Sequence, residues 1–169
     1  MSATPPGAAS EYSRGDTPSR EGFSLHGGVR AGLAATGAAG AVLLVLATFT
    51  TVIHIRAGRG VDVSDLDTRL SGYDRHSVAL LLIAAFAVVM LVGALQEAVP
   101  AMAALAGAGL IAVLITVIGD APDVHDTGVV GQVFETAAAG AGIGFYFETL
   151  GGVLLLIAGA GMLILRPWA

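Results

Sequence analysis

The stretch SVALLLIAAFAVVMLVGALQEAVPAMAALAGAGLIAVLITVIG, residues 77–119, contains a single charged side chain, Glu97. A hydrocarbon core about 30 Å thick is crossed by roughly 20 apolar residues of helix, each rising ~1.5 Å. The stretch is long enough for two crossings, folded back at Leu95-Gln96-Glu97-Ala98-Val99-Pro100. Pro100 falls where the first turn of a helix tolerates proline, because that amide has no helical acceptor. The only strongly polar side chains, Gln96 and Glu97, lie at the bend, where water reaches them. The reading is a helical hairpin across a membrane, with spans at about 77–96 and 99–119.

Outward from the hairpin, Arg56 to His76 is a polar connector with four arginines and four aspartates. Ser64 followed by Asp65 and Asp67 reads as a helix start. Leu66, Leu70 and Tyr73 then share a face at helical spacing, which predicts a short surface helix. Before the connector, residues 31–55 hold only His54 as a titratable group and predict a first span. Its first half is mostly Ala, Gly and Thr; its second half is bulkier and β-branched. Residues 1–29, with Pro5, Pro6, Pro18 and mixed charge, bury too little apolar surface to offset their ordering entropy. They are expected to form a disordered cytoplasmic tail.

Downstream, residues 120–148 carry five acids and no Lys or Arg. Val130, Val133, Phe134 and Ala137 predict a second surface helix. The run from Gly140 to Gly144 reads as a flexible turn, Phe145-Tyr146-Phe147 as an interfacial aromatic belt, and residues 148–165 as a fourth span. Arg166-Pro167-Trp168 would anchor its end. The predicted fold is thus an all-α membrane protein: residues 30–169 form a four-span helix bundle, with two connectors bearing short surface helices.

Composition narrows the function. Hydrophobic content of 55%, charge of 12% and a mean hydropathy of +0.81 exclude an ordinary soluble domain. A net charge of −5 argues against nucleic acid, and the absence of cysteine excludes thiolate chemistry. Four spans put both termini on one side. With the termini inside, four arginines fall on each side, so the positive-inside count is tied. The acid-only loop decides for cytoplasmic termini in a bacterial inner membrane.

Small residues gather on the terminus side of the spans, at Gly37, Gly40, Gly107, Gly109, Gly159 and Gly161. They let helices approach closely where lipid supplies no hydrophobic drive. The bundle is therefore expected to be tight there and wider beneath the connectors. Asp120, Asp123, His125 and Asp126 are the metal-ligating candidates, weighed against a solvated acidic loop, which the missing motif spacing favours. Glu148 is read as interfacial, paired with Arg56 or Arg59, and His54 as a snorkelling interfacial side chain. No catalytic pair and no cofactor motif is present.

Three segments, Ser71-Gly72-Tyr73-Asp74, Asp120-Ala121-Pro122-Asp123 and Gly142 to Gly152, resemble a group of small four-helix integral membrane proteins of unknown function from high-GC bacteria. The resemblance covers residues 31–165. It implies architecture and adds no catalytic residue. The expected role is a non-enzymatic accessory subunit in the lipid bilayer, binding a membrane-protein partner or a second copy of itself. The alternative is a small-solute or ion-binding or transport protein that uses the outward widening of the bundle.

Overall fold

A computed structural model describes residues 20–56, 69–76, 78–127, 132 and 138–166. Helix α1 spans Arg20–Phe49, α3 Ala79–Leu95, α4 Val99–Leu114 and α5 Ile143–Ile164. A π-helical segment, Ile115–Asp120, extends α4, and a 3₁₀ turn follows at Asp123–His125. Strands β1 (Thr51–Arg56), β2 (Arg69–Ser71) and β3 (Ala138–Ala141) and a short helix α2 (Gly72–His76) complete the described elements.

Three helical stretches are long and apolar enough to cross a membrane: Gly27–Phe49, Val99–Asp120 and Ile143–Ile164. Helix α3 is apolar but shorter, at 17 residues. Around the bundle, α1 packs on α5 and α3, and α4 packs on the same two helices. The core runs through Leu44, Leu91, Met102, Leu105, Leu155 and Met162. Leu82, Phe86, Val89, Ile111, Ile118 and Ile164 point outward, so the helices are apolar on both faces. Helices of that kind suit hydrocarbon surroundings.

The all-α expectation fails in the connectors. Strand β1 pairs antiparallel with β2 on one side and with β3 on the other, giving the order β2-β1-β3. The two connectors are therefore stitched together by one small sheet. The first helix ends at Phe49, and residues 51–55, expected as its last turns, are extended. Thr51-Val52-Ile53-His54-Ile55 is largely β-branched, and such side chains lose rotamer freedom in a helix but pack well on a pleated surface. Val52 and Ile53 are buried.

Two further boundaries move. Residues 20–29, expected within the tail, are helical, since no proline follows Pro18 to stop the helix. Helix α5 begins at Ile143 rather than at 148, and the supposed glycine turn is strand β3 running straight into it. Glycine is required at Gly142 and Gly144 because a Cβ there would meet the Thr51 carbonyl, and at Gly144 also the Thr50 hydroxyl. The Gly142 amide donates to the Val52 carbonyl at 2.6 Å, fixing the sheet against the start of α5. The surface helices expected from Ser64 and across Val130 to Ala137 lie outside the described residues, apart from Leu70 in β2 and Tyr73 in α2.

The hairpin bend is at Gln96–Ala98, with Glu97 in the left-handed region at φ 65°. Arg30 of α1 pairs with the Glu97 carboxylate and donates to the Ala94 and Leu95 carbonyls at 3.1 and 3.0 Å. These are carbonyls that the end of a helix leaves without intrahelical partners.

Five of the six expected packing glycines lie at close contacts within the bundle. A Cβ on Gly40 would lie 2.8 Å from the Gly151 carbonyl oxygen, one on Gly109 2.6 Å from that of Gly152, and one on Gly159 2.8 Å from that of Met102. Gly37 and Gly161 instead face side chains, Ala158 and Leu91 for the first and Leu33 for the second. Gly107, expected to pack, meets nothing within 4 Å, because it lies off the face that α4 turns to α5. At the connector end, Gly72 lies equally close to the backbone of Ala47 and Thr48, which sets α2 against the end of α1.

Candidate functional site

Three elements end at the connector side of the bundle and bring their polar residues together there. Helix α2 presents Arg75 and His76, the π segment ends on Asp120, and the second turn of α5 carries Glu148. At ~1.5 Å per residue, Glu148 lies about 8 Å along α5 from its first residue. Ligand atoms of His76, Asp120 and Glu148 all lie within 4.8 Å of one another.

Asp120 is fully buried and divided between two partners. Its Oδ1 accepts from Arg75 Nε at 2.6 Å, and its Oδ2 lies 2.9 Å from His76 Nε2. Arg75 also donates to the Gly119 carbonyl at 2.7 Å and pairs with Asp123. One guanidinium thus locks the end of the π segment to the 3₁₀ turn. The hydrogen bond that Asp120 accepts from His76 favours the protonated ring, raising its pKa above the ordinary value; burial opposes this, and the nearby charges of Asp120 and Glu148 add to it against Arg75.

Glu148 is the anomaly. It has 0% exposure, and among the described residues neither carboxylate oxygen meets a hydrogen-bond donor. Its closest charged neighbour is His76, whose Nε2 lies 3.6 Å from Oε2. That separation is too long for a hydrogen bond. The hydroxyl of Thr116, beside Glu148 on the π segment, donates to its own helix at the Ala112 carbonyl, 3.2 Å away. A buried carboxylate with no donor carries a desolvation cost of several kcal/mol.

The π segment has its own bearing on the site. It widens the helix so that the Ala121 amide reaches the Thr116 carbonyl at 2.8 Å, and Thr116 and Asp120 both end up buried. Single π turns recur at functional sites because they re-aim side chains that a regular helix would turn elsewhere. Asp74, Arg75, His76, Gly119 and Asp120 line a depression through which the site meets the exterior.

Of the four metal candidates read from sequence, Asp120 alone contributes to the cluster. Asp123 is held by Arg75, while His125 is exposed on the 3₁₀ turn and Asp126 is exposed beside it. Glu148, read as interfacial, is instead buried. Arg59 lies outside the described residues, and of the Arg56 side chain nothing is described. His54 is not at a helix end: it sits on β1 opposite Gly140, its ring against that glycine. His76 and Arg75 were missed altogether. The signal for them was positional, since the start of α3, the end of the π segment and the start of α5 all lie at one end of the bundle.

Compared with protein-family models, with curated proteins and with solved structures, the chain matches none.

Proposed function

We propose that this is a four-span, non-enzymatic protein of a cell membrane, with cytoplasmic termini, that binds a cation at the connector end of its bundle. The reading rests on one observation, the fully buried carboxylate of Glu148, which meets no hydrogen-bond donor among the described residues. Inside a membrane bundle such a group is a functional site by default, because its cost is sustained only where something repays it. Helix α3, at 17 residues, sits at the short end of what spans a bilayer and completes the fourth crossing.

Binding is favoured over conduction. The described spans carry few polar groups away from the site. Thr36, Thr48 and Thr116 turn their hydroxyls onto the carbonyls of their own helices, Gly32, Leu44 and Ala112. Among the described residues, no polar path therefore leads on through the bundle core. The accessory, partner-binding role expected from composition is compatible with this reading, the bound cation then setting how the connector sheet is held.

The test is Glu148→Leu in the detergent-solubilised full chain, stripped of metal ions. A group kept for ion binding costs stability when the ion is absent, so the apolar substitution should stabilise, by about 1–4 kcal/mol. A lower melting temperature in Glu148→Leu would contradict the reading and make Glu148 a structural group.

A further inference from the structure

Resting on that reading, we infer that the cation is a divalent transition-metal ion of the zinc class, held by His76 Nε2, Asp120 Oδ2 and Glu148 Oε2. Geometry argues for it first. Ligand atoms about 2.0–2.2 Å from a metal in tetrahedral array lie roughly 3–3.6 Å apart. His76 Nε2 stands 2.9 Å from Asp120 Oδ2 and 3.6 Å from Glu148 Oε2, and the whole triad closes within 4.8 Å. Small side-chain adjustments set all three on one ion.

Donor chemistry argues next. An imidazole nitrogen with two carboxylate oxygens suits borderline ions such as Zn²⁺ or Fe²⁺, and the harder Mn²⁺ more weakly. Ca²⁺ and Mg²⁺ take all-oxygen shells, and Cu⁺ wants the sulfur ligands that this site lacks. Three protein ligands leave a tetrahedral ion one open position, which the depression beside Asp74 and Gly119 keeps accessible.

Charge argues last. Among the described residues in ion-pair contact here, Asp120, Asp123 and Glu148 stand against one guanidinium, that of Arg75. Two negative charges are left, and a dication with neutral His76 balances them. Arg75 leaves Asp120 Oδ2 turned toward the site by occupying Oδ1, so it positions a ligand rather than acting as one. The donors missing around Glu148 are then accounted for, because the ion takes their place.

The experiment is thermal unfolding and equilibrium dialysis of the metal-stripped full chain in detergent, titrated separately with ZnCl₂, MnCl₂ and CaCl₂. Zn²⁺ should raise the melting temperature saturably, at one ion per chain, with Mn²⁺ weaker and Ca²⁺ without effect. His76→Ala and Glu148→Gln should each weaken Zn²⁺ binding more than about tenfold, while His125→Ala, on the exposed turn, leaves it unchanged. No saturable Zn²⁺ binding by the wild-type chain would overturn the inference, as would binding lost in His125→Ala and kept in Glu148→Gln. If Zn²⁺ fails to bind and Glu148→Leu still stabilises the metal-free protein, this inference falls and the buried-cation reading stands. If Glu148→Leu destabilises, the reading falls with it.

Discussion

His76 Nε2 lies 3.6 Å from Glu148 Oε2, so the last residue of α2 reaches a carboxylate in α5 that meets no hydrogen-bond donor among the described residues. The approach exists because the connectors do not float free. Strand β1 continues directly from α1, β2 leads into α2, and β3 leads into α5, so one sheet fixes the entry points of two helices. The π segment then carries Asp120 to the same place from the third side.

Arg75 should tune the site without forming it. Arg75→Ala removes the guanidinium that holds Asp120 Oδ1 and the Gly119 carbonyl. Zn²⁺ affinity, measured by competition with a chromophoric chelator, is expected to fall about 10–100-fold. Arg75→Lys keeps the charge but not the forked geometry, and should restore only part of it. Unchanged affinity in Arg75→Ala would mean that Asp120 is oriented by something else.

The pH dependence of stability should differ with and without metal. In the metal-free protein His76 has a raised pKa, chiefly through Asp120, with Glu148 adding and burial and Arg75 opposing. Its contribution is fully present below the unfolded value of about 6.5 and is lost as pH rises through the folded value. Metal binding instead requires neutral imidazole, so Zn²⁺ stabilisation should grow across the same window. Melting temperatures at several pH values, with and without Zn²⁺, should show opposite slopes, and parallel slopes would contradict the assignment of His76.

The apolar architecture was legible in the sequence, and the site was not. Residues 77–119 announce α3 and α4 through length and hydrophobicity, and Pro100 marks the start of α4. The β-branched run Thr51–Ile55 also showed its character, but its continuity with the preceding apolar helix hid the strand. No local signal identifies Ala138–Ala141 as a strand, because Ala and Gly have little β propensity and only pairing with β1 makes it one. Glu148 looked interfacial beside Phe145, Tyr146 and Phe147, yet an early helix start and the facing π segment bury it. The site depends on contacts among residues distant in sequence, which periodicity does not report.

The packing glycines should separate into two classes. A Cβ on Gly109 would press on the backbone of α5 near Gly152, so Gly109→Ala should destabilise by about 1–3 kcal/mol. Gly107 has open space before it, and Gly107→Ala should be neutral or stabilise by up to ~1 kcal/mol through helix propensity. Equal losses at both positions, measured by unfolding in mixed detergent, would contradict the packing of α4 on α5.

Orientation can be read by labelling, because the chain contains no cysteine. Single-cysteine variants at Ser10 and Thr127 would be exposed to an impermeant maleimide on intact cells. Thr127 should label and Ser10 should not, putting the cation site on the outer face. The reverse pattern would turn the protein over in the membrane.

The most direct measurement is X-ray absorption at the zinc edge on the full chain loaded with one equivalent of Zn²⁺. The account predicts a low-coordinate shell of nitrogen and oxygen at about 2.0–2.2 Å. It also predicts one imidazole's outer scattering, lost in His76→Ala. A six-coordinate hydrated shell that is identical in wild type and His76→Ala would contradict it.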